Sequence, residues 1–91
     1  MKQGIGECFT PNDEKLIMNL FNNACFNCGS NKSLQIDHIY PLSLGNPLTL
    51  QNASVLCINC NSSKGNKNPI EFFGNDKFNS LINILRNIGA Y

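Results

Sequence analysis

The sequence predicts a small α+β domain, a metal-stapled unit of strand, loop, strand and helix with one further helix on each flank. Three observations predict it. Cys25-Phe-Asn-Cys28 and Cys57-Ile-Asn-Cys60 form two CxxC pairs that bracket the middle of the chain. Inside the bracket, Leu34 to Tyr40 is a short run rich in β-branched and aromatic residues, the composition of a strand, and Ser54 to Cys57 reads as a second strand. Outside it, Leu16, Ile17, Leu20 and Phe21, then Phe78, Leu81, Ile82, Leu85 and Ile88, recur at the spacing of one helix face. The 91 residues are read as a single domain, 1–91, with flanking helices at about 10–23 and 76–88.

Composition narrows the class. Hydrophobic residues make up 42%, enough for a packed core in a chain that still needs a staple at this length. No apolar run approaches the roughly 20 residues of a membrane span, and Met1 to Gly6 lacks the apolar core of a signal peptide. The expectation is a soluble, intracellular (cytoplasmic) protein with no membrane contact. Seven Lys and Arg against six Asp and Glu give a net charge of +1, far from a protein held on nucleic acid by charge alone. Any such contact must use clustered cations, of which Lys64 and Lys67 are the nearest pair, whereas Arg86 reads as ordinary surface.

The cysteines say more. Five is an odd count, which weakens a disulfide framework. In a reducing compartment, two CxxC pairs read as a closed tetrahedral zinc site made by Cys25, Cys28, Cys57 and Cys60. A redox role for one CxxC is disfavoured because no βαβ pattern accompanies it. Cys8, left over, is a small buried hydrophobe or an idle thiol.

In chain order, residues 1–9 are a loose lead-in. Thr10 can cap a helix that begins at Pro11, with Asp13 and Glu14 near its positive end, and that ends near Asn23. Cys25 to Ser33 is a knuckle turn in which Gly29 relieves crowding beside the sulfurs. The first strand ends at Pro41, and Gly45, Asn46 and Pro47 mark a loop. Thr49 can cap one short turn through Asn52. After the second strand, a short helix spans about Asn59 to Asn66, with Gly65 near its stop. Pro69 to Phe73 reads as a connector, and Asn75 or Asp76 caps the last helix, which Gly89 stops.

The bracketed stretch also carries the residues of an active site. His38 is the only histidine, and its ordinary pKa of about 6.5 suits general-base work near neutral pH. Asp37 offers a hard oxygen for Mg²⁺ or Mn²⁺. Adjacent strand residues point to opposite faces, so a twist or a bulge toward Tyr40-Pro41 is expected to bring the two together. Asn59 and Asn61 flank Cys60, and either can offer an amide oxygen.

Asp37-His38-Ile-x-Pro41-Leu-Ser-x-Gly45, Leu50-x-Asn52 and Leu56-Cys57-x-x-Cys60-Asn61-x-x-Lys64-Gly65 together resemble the motif of HNH endonucleases. The resemblance covers a core of residues 25–73, since Asn68-Pro69-x-Glu71-Phe72-Phe73 also looks like the run that often follows. It implies the ββα-metal (His-Me finger) fold and metal-dependent cutting of nucleic acid, usually double-stranded DNA. On it, His38 is the base that activates water, Asp37 holds the divalent ion, and Asn52 fixes the loop and orients the histidine. Asn61 stands where the namesake residue is a histidine, in the manner of a common variant, and its amide oxygen is a second ligand to the ion. Lys64 and Lys67 are candidate phosphate contacts.

The resemblance thus implies structural Zn²⁺ together with catalytic Mg²⁺ or Mn²⁺, and nicking or limited sequence specificity. The competing reading is a non-cleaving, zinc-clamped module that binds DNA or a protein. Paired cuts would need a homodimer or successive events, and a larger partner protein is the other association that fits. Phage packaging, restriction and mobile-element roles all fit the motif.

Overall fold

The computed structural model describes residues 9–41 and 45–89, so the expectations for Cys8, for the lead-in 1–8 and for loop residues 42–44 lie outside the described residues. Thr10 opens α1 (Pro11–Leu20) with a reciprocal cap: its hydroxyl accepts from the Asp13 N–H, and its own N–H donates to the Asp13 carboxylate, both at 3.1 Å. The helix stops where Asn22 and Asn23 take positive φ, 58° and 52°, a conformation asparagine tolerates. A knuckle turn then leads into β1 (Leu34–His38).

A single 3-10 turn, Leu50–Asn52, returns the chain to β2 (Ala53–Cys57), which pairs antiparallel with β1. The register runs without interruption from Leu34 opposite Cys57 to His38 opposite Ala53. Strand β1 ends at His38 and not at Tyr40: Ile39 N–H still meets the Asn52 carbonyl at 2.9 Å, but Tyr40 N–H turns to the Asn52 side chain at 2.7 Å. Every residue of β2 is buried, and both α1 and α2 (Ile58–Lys64) pack against it. This strand is the spine of the domain.

Pro69–Phe73, expected as a connector, is a helical turn, α3. Asn68 caps it by accepting the Glu71 N–H at 2.8 Å, with Pro69 in the first position. Five residues are too few to show a helical period, which is why the apolar run disguised it. Helix α4 (Asn75–Arg86) begins directly after α3, and its cap is Gly74 at φ 85°, not Asn75 or Asp76. Gly74 donates to the Ile70 carbonyl and accepts from Phe78 N–H, closing one helix and opening the next at a corner that favours glycine.

The core gathers Ile17 and Phe21 from the first flank, Val55 and Leu56 from β2, and Phe73, Leu81 and Leu85 from the last two helices. Edge-to-face contacts run from Phe21 through Phe26 and Phe73 to Phe72, with centroids 6.0, 5.3 and 4.9 Å apart. Both flanks thus spend apolar surface on the central unit. No helix among the described residues is long and apolar enough to cross a membrane.

Candidate active site and metal clamp

The four cysteines come together where the knuckle turn meets the start of α2. Their sulfurs lie within 4.8 Å of one another, and Cys28 Sγ is 3.7 Å from Cys57 Sγ. Four sulfurs at about 2.3 Å from a tetrahedral zinc stand about 3.8 Å apart, whereas a disulfide needs about 2.05 Å. The donors are free thiols in the geometry of a closed zinc site. Backbone amides already point at them: Cys28 N–H reaches Cys25 Sγ at 3.5 Å and Cys60 N–H reaches Cys57 Sγ at 3.4 Å.

Protonation of the cluster is uneven. Burial works to raise the Cys25 thiol, but N–H groups of Cys57, Cys28 and Asn27 outweigh it and bring its pKa down to about 7. At Cys60 the Asn27 amide favours the thiolate, yet burial and the three neighbouring sulfurs push the pKa up to about 12. Four thiolates therefore coexist only around a cation, which is what a zinc ion supplies.

The second group of residues lies on the face where α2 covers the hairpin. By the register, Gln35 and Asp37 share a face with Leu56 and Ser54, while Ile36 and His38 share the other with Val55 and Ala53. Asn61 and Lys64, three apart on α2, meet the first of these faces. Asn61 Nδ2 donates to Gln35 Oε1 at 2.6 Å, which fixes the orientation of the amide. Lys64 Nζ lies 3.2 Å from Asp37 Oδ2 and donates to the His38 carbonyl at 2.8 Å.

Lys64, read from the sequence as a surface cation near phosphate, is only 1% exposed and its ammonium is turned inward. Its ion pair with Asp37 at 3.2 Å stands beside the hydrogen bond that it donates to the His38 carbonyl. Burial holds the Asp37 carboxyl above its ordinary range, against the opposing pull of Lys64 and His38. Ser54, directly across from Asp37, is fully buried, and its hydroxyl has no hydrogen-bond partner among the described residues.

No bulge interrupts β1 between Leu34 and His38, so within the paired strand Asp37 and His38 lie on opposite faces. His38, half-buried, sits at the strand end instead. Beyond it Asn52 closes the connection: its Oδ1 accepts Tyr40 N–H at 2.7 Å, and its Nδ2 donates to the carbonyls of Tyr40 and Pro47 at 3.0 and 3.1 Å. Both ends of the amide are consumed by backbone. Lys67 stays on the surface, with Nζ 3.2 Å from the Ser63 carbonyl.

Gln35, Ser54 and Asn27 belong to these sites and carry no motif. Strand alternation was the available signal for Gln35, which lies two residues from Asp37 on one face.

A ββα unit with a closed thiolate clamp at one end, and a carboxylate, an amide and an imidazole beside it, defines a small domain of the ββα-metal class. Residues 25–67 match the family model described as HNH endonuclease, so this segment is similar to a family whose members hydrolyse nucleic acids. No curated protein matches the chain.

Proposed function

We propose that the protein is a metal-dependent DNA endonuclease, with His38 as general base and Asp37 and Asn61 as the ligands of a divalent ion. The observation that carries this reading is the pairing of elements: Asp37 on β1 and Asn61 on α2 belong to facing surfaces, with His38 next in the chain at the strand end. Phosphodiester hydrolysis by in-line displacement needs its nucleophile and its leaving oxygen on opposite sides of phosphorus.

In this scheme the His38 imidazole takes a proton from the attacking water. Asp37 and Asn61 would hold Mg²⁺ or Mn²⁺, which would supply positive charge to the phosphate and the departing 3′ oxygen. Gln35 holds the Asn61 nitrogen, which leaves the amide oxygen for the ion. Asn52 positions the backbone just beyond His38, and Lys67 is the exposed cation closest in sequence for a phosphate. Lys64 serves from inside, holding the Asp37 carboxylate and the His38 carbonyl together. The clamp holds the shape and does no chemistry.

A second reading, a non-cleaving DNA- or protein-binding module, draws on one observation: Asp37 and Asn61 both already have partners within the chain. Incubation of zinc-loaded protein with supercoiled plasmid and Mg²⁺ or Mn²⁺ separates the two. The nuclease reading expects nicked circles, and a His38→Ala variant slower by roughly 10²–10⁴-fold. Retarded plasmid without nicking, unchanged in His38→Ala, selects the binding module. One active site cuts one strand, so linear product requires a dimer or successive events.

A further inference from the structure

Helix α4 lies outside the matched segment, yet one of its side chains reaches the metal clamp. Lys77 Nζ donates to Asn27 Oδ1 at 2.8 Å and to the Asn27 carbonyl at 3.2 Å, across fifty residues of sequence. Asn27 in turn directs its Nδ2 at Cys60 Sγ, 3.4 Å away. The three groups form a chain: ammonium, amide, sulfur. Asn27 is one of the two residues between the cysteines of the first CxxC, so its backbone is already fixed by the knuckle.

The chemistry of this chain has a direction. A zinc tetrathiolate carries net negative charge, and its most basic sulfur is the one at which a proton or a competing chelator begins to strip the metal. An N–H···S bond draws charge from that sulfur and lowers its basicity. An amide with both ends free to rotate is a weak donor. Here the ammonium grips its oxygen, which fixes the nitrogen toward Cys60 and strengthens the donor by polarisation. Cys60 is partly open to solvent, so it is a sulfur that needs such cover.

We propose that Lys77 and Asn27 latch the zinc clamp, so that retention of the metal depends on the docking of the C-terminal helix. The inference rests on zinc filling the four-cysteine site, and it is independent of whether the protein cuts DNA. It gives α4 a duty beyond covering the core. Anything that lifts this helix, such as a partner competing for its face, loosens zinc at the opposite end of the contact.

The test follows zinc transfer from the full-length, zinc-loaded protein to the chromophoric chelator 4-(2-pyridylazo)resorcinol, after the zinc content of each sample is measured. Lys77→Ala removes the grip. Asn27→Asp keeps an oxygen for Lys77 but removes the N–H donor. Both are expected to release zinc roughly 10-fold faster than wild type or more. Lys77→Arg is expected to stay near the wild-type rate. Arg86→Ala serves as control, because Arg86 is a cation of the same helix that donates to Asn83 Oδ1 at 3.2 Å. Both side chains of the latch lie at the surface or partly so, and matched circular dichroism of the loaded variants verifies the fold. Wild-type release rates in Lys77→Ala and Asn27→Asp overturn the latch, as does equal acceleration by Arg86→Ala. A wild-type chain without zinc overturns the zinc reading as well, so the two failures are distinguishable.

Discussion

Lys64 Nζ stands 3.2 Å from Asp37 Oδ2, with the side chains 1% and 9% exposed, and the same ammonium donates to the carbonyl of His38. The last residue of α2 is thereby tied to two consecutive residues of β1. A buried ion pair contributes little net stability, but it fixes where its carboxylate can be. That rigidity is the physical content of a preformed ligand site.

The pair has a measurable signature. Lys64→Met leaves a buried carboxylate without its counter-ion and is expected to destabilise the zinc-loaded protein by about 3–5 kcal/mol, and Asp37→Leu by a similar amount. The double variant is expected to recover most of the loss, because neither charge is then left alone. Urea unfolding of the four proteins completes the cycle, and additive losses would show that the two groups do not interact.

Burial raises the Asp37 carboxyl, which sets opposite pH dependences for the fold and for the divalent ion. The folded chain binds this proton more tightly than the unfolded chain. Its contribution to stability is therefore full below the unfolded pKa and is lost as pH rises through the raised folded value. The ion needs the carboxylate, so its binding grows over the same window. The melting-temperature increment caused by Mg²⁺ should shrink on acidification, beginning above the ordinary carboxylate range. In Asp37→Asn neither dependence should remain.

Gln35 is expected to matter for the divalent ion and not for zinc. Removing it in Gln35→Ala frees the Asn61 amide to rotate, so the Mg²⁺ concentration for half-maximal nicking should rise several-fold, with zinc stoichiometry unchanged. A rate lowered at saturating Mg²⁺ with an unchanged half-maximal concentration would instead put Gln35 in contact with DNA.

Asn52 braces the connection that follows His38 through three bonds to backbone. Asn52→Ala orphans those groups, at about 1–3 kcal/mol for each that water cannot reach. Asn52→Asp should not rescue it. The carboxylate still accepts from Tyr40 N–H, but its second oxygen faces the carbonyls of Tyr40 and Pro47. Thermal melts with nicking rates on the same samples check this, and activity should fall together with the melting temperature.

What could be read in advance depended on how local the information was. The CxxC pairs, the Thr10-Pro11 helix start and the alternating strands are properties of a few adjacent residues, and the α+β fold and the four-cysteine cluster followed from them. The turn at α3 was missed because an asparagine cap and a proline act within five residues. The inward turn of Lys64 was not legible at all. It depends on which face of α2 meets which face of β1, and most lysines stay in water. The same holds for Lys77 and Asn27, joined only once α4 has docked. Adjacency of Asp37 and His38 invited the expectation of a bulge, whereas a regular strand end separates their faces.

Helix α2 has only seven residues, well short of the roughly 12–15 that an isolated helix needs to persist in water. Its first turn is held by the Cys57 sulfur that accepts from Cys60 N–H, and its last by Lys64 against β1. The helix therefore depends on both anchors, and zinc held by Cys57 and Cys60 would fasten the first turn that carries Asn61 and Lys64 toward Asp37.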